Sequence, residues 1–318
     1  MNESDSEKIA SLLQKQGHKP AKNEADADLI VLNCCSVRQA AVHRVYDKIN
    51  KYTGKKKLIL AGCVLEKDRN ALKEKVSEIW HPDEYFECTP FYINKKIAYV
   101  PIMTGCNNFC SYCAVPYTRG REKSRPDGQV INEVNSLLKK GYKEIMLLGQ
   151  NVNSYKDGKI NFPKILQKID ALKGGFKLSF MTSHPKDMSD ELIKTMAKCD
   201  KLVKEIHLPI QSGDNEILKK MNRHYTVAQY KNLIKKIRKA IPGIKISTDI
   251  IVGFPGETKK QFQNSVKLAK AVKFDKAYIA KYSPRPGTTA AKLKGDIPIE
   301  EKKRRWRILD KLINKEYY

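Results

Sequence analysis

From residue 97 onward, apolar runs that are typical of strands alternate with amphipathic stretches that are typical of helices. The predicted strands cover residues 97–103, 143–148, 177–181, 204–210, 244–252 and 276–282. The predicted helices between them cover approximately residues 128–140, 162–172, 189–198, 226–240 and 258–272. Because repeated βαβ units produce such alternation, it predicts a parallel α/β barrel of six strands, or a large part of one.

Polar and glycine- or proline-rich runs follow the predicted barrel strands, where α/β barrels keep their active sites. The runs are TGC, LGQN, TSHP, QSG, GFPGE and SPRPG. Four polar residues at these strand ends are candidate contacts to a cofactor or substrate: Gln150, Asn151, Gln211 and Asp249. His184 and His207 also lie at barrel strands. Since a single histidine on a strand is more often a hydrogen-bonded structural residue, we expect a structural role for both.

The first part of the chain predicts a smaller α/β unit that begins with a helix. Ser4 and Glu7 have the spacing of a capping box, and Gly17 is a suitable helix stop. Apolar runs without alternation at residues 28–34 and 57–63 favour parallel strands covered on both faces. A parallel unit that starts with a helix is expected to have lost its first strand.

The sequence predicts four parts: a small parallel α/β amino-terminal domain (residues 1–88), a linker (89–96), a partial barrel (97–295) and a basic carboxyl-terminal helix (296–318). Residues 1–88 are nearly neutral, whereas residues 89–318 carry 46 Lys and Arg against 21 Asp and Glu. This excess favours a polyanionic partner such as nucleic acid. Neither a membrane-spanning apolar run nor a signal peptide is recognisable, so we expect a cytoplasmic protein without membrane contact.

Three cysteines follow the first barrel strand in one short loop, as Cys106-x-x-x-Cys110-x-x-Cys113. Thiolates at such spacing hold zinc or iron–sulfur clusters. A structural zinc site needs a fourth ligand. No Cys, His or Asp occurs in the twelve residues after Cys113, so ligation by three thiolates with one open metal position is the favoured interpretation.

This cysteine loop, with an aromatic residue before its last cysteine, resembles that of the radical S-adenosylmethionine (SAM) enzymes. The resemblance implies a [4Fe-4S] cluster held by Cys106, Cys110 and Cys113. In that superfamily the cluster binds SAM at its free iron and cleaves it reductively to a 5′-deoxyadenosyl radical. It also implies that the backbone of Tyr112 approaches the adenine of SAM.

Nearly the whole chain resembles the methylthiotransferases within that superfamily. The matching runs, in order, are NCCSVR, GCV, CSYCAVPYTRGRE, LLGQNVNSY, MTSHP, HLPIQSGD, MNRHYT, DIIVGFPGET and YSPRPGT. The best resemblance is to members that place a methylthio group on C2 of N6-isopentenyladenosine at position 37 of tRNA, with two SAM used per product. Members acting on threonylcarbamoyladenosine in tRNA or on a ribosomal-protein aspartate remain alternatives, as does an iron–sulfur RNA-binding protein without turnover.

The resemblance also implies a second, auxiliary [4Fe-4S] cluster in the amino-terminal domain. Cys35 and Cys63 each follow an apolar strand, so both are expected at one sheet edge as ligands of this cluster. The family's third ligand belongs to a Gly-Cys-Gln run that would precede Met1, and its TRAM domain would follow the last helix. We therefore expect the auxiliary cluster to assemble poorly in this chain. Cys34, Cys88 and Cys199 are not among the expected ligands.

The expected partner is a tRNA anticodon loop, whose unpaired bases can enter a pocket without melting of a duplex. Arg119, Arg121 and Arg125 follow the cysteine loop and are candidates for clamping phosphate or the SAM carboxylate, with a solvated loop as the equal alternative. The resemblance implies an electron donor such as flavodoxin or ferredoxin. The sulfur donor is unknown from the sequence.

Overall fold

The computed structural model describes residues 1–36, 39–94 and 96–315. Residue 95 of the predicted linker and residues 316–318 of the predicted terminal helix lie outside the described residues, as do residues 37 and 38. Where the chain is described, no helix has the length and apolar character needed to cross a membrane.

The amino-terminal region is a three-stranded parallel sheet with helices on both faces. Its strands, in the order β1-β2-β3, are Leu29–Cys35, Lys57–Cys63 and Glu78–Ile79. Its helices α1 to α4 are Asn2–Lys15, Gln39–Tyr52, Glu66–Leu72 and Asp83–Phe86. Leu60 packs with Ile49 of α2 on one face, and Ile59 packs with Ile9 of α1 on the other. The prediction of parallel strands covered on both faces is confirmed.

The predicted capping box at Ser4 and Glu7 is wrong. Helix α1 begins at Asn2, so both residues lie inside it, where their side chains are buried. The Glu7 carboxylate accepts the backbone N–H of Ile93 at 2.7 Å instead of closing the helix start. Sequence spacing could not reveal this tertiary contact because the two residues lie 86 positions apart.

The second region is a partial (β/α)6 barrel. Its six parallel strands, in spatial order, are β4 (Ile97–Pro101), β7 (Glu144–Leu148), β10 (Lys177–Phe180), β11 (Glu205–His207), β12 (Lys245–Val252) and β13 (Lys276–Lys281). A parallel bridge from Leu178 to Leu202 joins β10 to the segment just before β11. Two short pairs of antiparallel strands lie outside the parallel sheets: β5 (Met103–Thr104) with β6 (Lys123–Ser124), and β8 (Lys156–Asp157) with β9 (Ile160–Asn161).

Helices alternate with these strands as predicted. They are α5 (Val115–Thr118), α6 (Asp127–Lys139), α7 (Phe162–Asp170), α8 (Asp190–Lys198), α9 (Asn215–Lys220), α10 (Val227–Ala240), α11 (Lys259–Val272) and α12 (Ile299–Ile313). Strand β11 is shorter than predicted. Pro209 has no N–H for the ladder, and Gln211 has a left-handed backbone with φ 74°. The six-stranded parallel architecture is confirmed.

Candidate active site

The cysteine loop starts at the carboxyl end of the first barrel strand and folds against the segment that follows it. Gly105 has φ 75°, and a Cβ there would lie 2.0 Å from the carbonyl oxygen of Arg121. Glycine is therefore required at this position. The backbone N–H of Cys106 donates to the carbonyl of Gly120 at 3.2 Å, which fixes the start of the loop.

The structure brings the three predicted ligands into one neighbourhood. Burial raises the pKa of the Cys113 thiol to about 12, and the charges of Cys110 and Cys106 add to this increase. Burial also raises the pKa of Cys106. Thiols in this state exchange their protons for a metal centre when one binds.

The donor set fits an iron–sulfur cluster better than a single ion. Among the described residues, no three or more His, Cys, Asp or Glu side chains converge to hold one metal ion. A cubane cluster, in contrast, takes each thiolate on a different iron, so its ligands surround one cluster and need not meet at a single ion. Cluster ligation by Cys106, Cys110 and Cys113 stays a prediction that this loop supports.

Arg223 is a buried support of the loop that the sequence analysis did not identify. Its Nη1 lies 3.5 Å from Cys110 Sγ, its Nη2 donates to the Pro209 carbonyl at 2.6 Å, and its Nε donates to Tyr225 Oη at 2.7 Å. One guanidinium thus ties the cysteine loop to the end of β11. The signal in the sequence was an arginine in the MNRHYT run, but its 113-residue separation from Cys110 concealed the contact.

Replacement of Arg223 by Lys is expected to lower the reduction potential of a bound cluster by about tens of millivolts, because one N–H···S contact to a cluster ligand is lost. A lysine ammonium cannot reach all three partners in the guanidinium geometry. Redox titration of the reconstituted protein measures the potential. Arg238→Lys is the matched control, because Arg238 also donates to backbone carbonyls, at Val272 and Lys273, but contacts no cysteine. Equal potentials for both variants would contradict this role.

The predicted contact residues lie at the strand ends and carry polar atoms without partners. The side-chain amide oxygens of Gln150, Asn151 and Gln211 are buried and accept no hydrogen bond within the described residues. Asn151 is oriented by its Nδ2, which donates to Asp187 at 2.7 Å. Since buried polar atoms are normally satisfied, such a group of acceptors is typical of a site that binds a polar ligand.

The remaining two candidates differ in their surroundings. Asp249 does not carry a free carboxylate, because its Oδ1 lies 3.3 Å from Nε2 of His207. Tyr112 is half-buried and packs on a cluster that includes Met221, Phe254 and Tyr282. The backbone beside it is held by Ser111, whose N–H donates to the Met221 carbonyl at 3.0 Å.

His184 and His207 have different environments. His207 makes the contact with Asp249 and a 3.0 Å hydrogen bond with Ser247, which fits a structural role. His184 is buried, and burial lowers its pKa to about 2, so its imidazole is neutral. Its Nδ1 accepts from the backbone N–H of Lys186, and its Nε2 has no partner among the described residues.

The two predicted auxiliary ligands lie side by side at one sheet edge. Cys35 and Cys63 are register partners at the ends of β1 and β2. Burial raises the pKa of Cys63, and the charge of Arg119 counteracts this effect. The Arg119 Nε donates to Cys63 Sγ at 2.9 Å, and its Nη2 pairs with Asp5. Arg119 therefore connects the segment after the cysteine loop to the amino-terminal sheet.

Two of the three arginines proposed as phosphate clamps are engaged inside the protein. Arg119 is 3% exposed, and Arg125 is buried with its Nη2 2.6 Å from Glu133. Neither can reach RNA, and neither belongs to a solvated loop. Arg121 alone is exposed.

The GFPGE turn has a structural role in this chain. The Gly253 N–H is taken by Glu257 at 2.7 Å, and that carboxylate forms a buried ion pair with Arg305 of α12 at 2.6 Å. A Cβ on Gly253 would lie 2.4 Å from the side chain of Lys302. The turn therefore fixes α12 against the barrel.

The sequence matches two family descriptions. The radical SAM superfamily matches residues 100–269, and the uncharacterized protein family UPF0004 matches residues 1–81. A solved radical S-adenosylmethionine methyltransferase, TsrM from Kitasatospora setae with tryptophan substrate and a SAM analog bound, superposes with a TM-score of 0.60. It is 14% identical over 89% of this chain and 66% of that chain, which shows the shared fold.

Similar proteins at higher identity carry the name tRNA-2-methylthio-N(6)-dimethylallyladenosine synthase. One from Clostridium botulinum (strain Okra / Type B1) is 42% identical over 360 residues, which cover 99% of this chain and 79% of that protein. Another, from Clostridium novyi (strain NT), is 42% identical over 358 residues with the same coverage. Together with the six-stranded barrel and the three-cysteine loop, this similarity shows that the chain is an enzyme of the radical SAM methylthiotransferase family.

Proposed function

We propose that the chain transfers a methylthio group to C2 of N6-isopentenyladenosine at position 37 of tRNA and uses two SAM per product. The observation that carries this proposal is the 42% identity, over nearly the whole chain, to proteins named as synthases of that methylthio nucleoside. The basic excess in residues 89–318 supports a nucleic-acid substrate. A tRNA substrate places the reaction in the cytoplasm.

The proposed chemistry does not depend on a general base. The C2–H of adenine is not acidic, so a positioned His or Glu could not usefully remove its proton. A [4Fe-4S] cluster held by Cys106, Cys110 and Cys113 would, with bound SAM, supply the radical chemistry that removes a hydrogen atom instead. One SAM would give its methyl group to a sulfide from the sulfur donor and leave as S-adenosylhomocysteine. The other SAM would take up one electron and end as methionine and 5′-deoxyadenosine, which carries the hydrogen atom from C2. The C–S bond would then form between C2 and the methylated sulfur with release of one electron.

The residues of this chain divide the work of binding. Cys106, Cys110 and Cys113 hold the cluster, and Arg223 keeps their loop in place. The unpartnered side-chain amide oxygens of Gln150, Asn151 and Gln211 are suited to accept hydrogen bonds from the amino group and the ribose hydroxyls of SAM.

The auxiliary cluster and the domain division belong to the same proposal. Cys35 and Cys63 are the ligands that this chain offers to the auxiliary cluster, supported by their adjacent positions at one sheet edge. Flavodoxin or ferredoxin supplies the electron. The separate sheets of the two regions support domains at 1–88 and 97–295, joined by 89–96 and followed by 296–318.

Mass spectrometry of tRNA nucleosides tests the substrate. The gene is placed in a strain that lacks its own synthase and accumulates N6-isopentenyladenosine. We expect the 2-methylthio derivative to appear at a low level, because the auxiliary cluster is expected to assemble poorly in this chain, and to stay absent with the Cys113→Ala gene. A change in the threonylcarbamoyladenosine derivative alone would contradict the proposed base. Unchanged tRNA would contradict turnover on tRNA and favour a ribosomal-protein aspartate as the substrate, or RNA binding without turnover.

A further inference from the structure

We propose that Phe109, Tyr117 and Arg121 form a stacking platform for an unpaired nucleobase that flanks the reacting adenosine. This inference rests on the proposed RNA substrate and assigns a place on the protein to a second base of it. The platform is built on the cysteine loop itself, since Phe109 immediately precedes Cys110. A base bound here therefore lies next to the reaction centre.

The first element of the platform is a phenylalanine held in a strained backbone. Phe109 has φ 47°, a left-handed conformation that is unfavourable for a bulky residue. It is maintained by Asn222, whose Nδ2 donates to the carbonyl of Phe109 at 2.9 Å and lies 3.3 Å from that of Asn108. Backbone strain of this kind is retained where it serves binding or catalysis.

The second element is a pair of side chains arranged around the Phe109 ring. The Arg121 guanidinium lies 4.3 Å from the ring centroid of Phe109, and the Tyr117 ring meets it edge to face at 6.1 Å. Tyr117 is 52% exposed, although a tyrosine ring is costly to leave in water. Arg121 makes no ion pair within residues 1–36, 39–94 and 96–315, so its charge remains available to a phosphate.

This combination fits single-stranded RNA in particular. Bases stack on exposed aromatic rings and on guanidinium planes, and this contact tolerates any base because every base has a π face. A duplex would not offer a free base, whereas an anticodon loop does. Because Arg119 and Arg125 are buried, Arg121 of the platform is the one of these three arginines that can reach RNA.

Fluorescence anisotropy with a labelled anticodon stem-loop RNA tests the platform, with the reconstituted protein at several salt concentrations. We expect Tyr117→Ala to raise the Kd for the RNA by about tenfold, which corresponds to the loss of one stacked base. The salt dependence of binding is expected to stay unchanged. Tyr117→Phe is expected to restore binding to within about twofold, because it keeps the ring. Arg121→Gln is expected to reduce the slope of log K against log salt by about 0.7, the value for one phosphate contact on a single strand.

The control is Phe91→Ala, which removes another exposed ring outside the cysteine loop. Its Kd is expected to equal that of the wild type. If the wild type binds the RNA and Tyr117→Ala binds equally well, the platform is wrong and the proposed function stands. If the wild type does not bind the RNA at all, both proposals fail. Thermal unfolding of each variant confirms that the exposed substitutions leave the fold intact.

Discussion

Cys113→Ala is expected to abolish the reductive cleavage of SAM. With one of three thiolates removed, the loop retains two ligands for a cluster that needs three, so iron binding and SAM cleavage are lost together. The measurement is the amount of 5′-deoxyadenosine formed when anaerobically reconstituted protein is mixed with SAM and a strong reductant. We expect the wild type to form it and the variant to remain at the level of a protein-free sample.

Cys199→Ala is the matched control for this experiment. Cys199 is a half-buried thiol that packs against the barrel core, away from the cysteine loop in sequence. Its loss removes one sulfur but no predicted ligand, and 5′-deoxyadenosine formation is expected to continue. Equal activity of Cys113→Ala and Cys199→Ala would show that the loop does not hold the cluster that cleaves SAM.

Arg119→Met is expected to lower the free energy of unfolding by about 3–5 kcal/mol. The Asp5 carboxylate and the Arg119 guanidinium are both buried, so removal of the cation leaves an uncompensated charge in the interior. Urea denaturation of the wild type and the variant measures the loss. Removal of both charges in Arg119→Met/Asp5→Leu is expected to recover most of the stability, because neither charge of the pair is then left without its partner.

Arg304→Met is the control for this pair. Arg304 contacts Glu301 on the surface of α12, where an ion pair contributes at most about 1 kcal/mol. Arg119→Met is expected to lower the free energy of unfolding clearly more than Arg304→Met does. If Arg119→Met lowers the free energy of unfolding no more than Arg304→Met does, the contact of Arg119 with the amino-terminal region does not stabilise the fold.

Features that depend on local periodicity were predictable from the sequence. Each of the six barrel strands and the helices between them has its own pattern of apolar residues, and that pattern is visible within a short window of the sequence. The cysteine loop was equally recognisable, since the spacing of Cys106, Cys110 and Cys113 is itself the local signal. The boundaries moved where local chemistry intervened, as at β11, which ends at His207 because Pro209 has no N–H for the ladder. Pairing with β12 resumes only at the isolated bridge between Gln211 and Ile250.

Long-range charge pairing was not predictable in the same way. Arg119 was considered as an RNA contact, but it pairs with Asp5, which lies 114 residues earlier in the chain. The supporting role of Arg223 at Cys110 depends on a contact of similar range. The sequence spacing of these residues does not indicate that they are in contact, because each contact depends on how distant segments of the chain pack against each other.

Electron paramagnetic resonance of the reduced protein tests the central claim most directly. The Cys35→Ala/Cys63→Ala variant retains only the predicted cluster of the cysteine loop, which simplifies the spectrum. If three thiolates leave one iron open, SAM with a magnetic oxygen isotope in its carboxylate should broaden the signal of a reduced [4Fe-4S] cluster. A cluster signal that is unchanged by labelled SAM, or a protein that binds zinc in place of iron, would contradict the account.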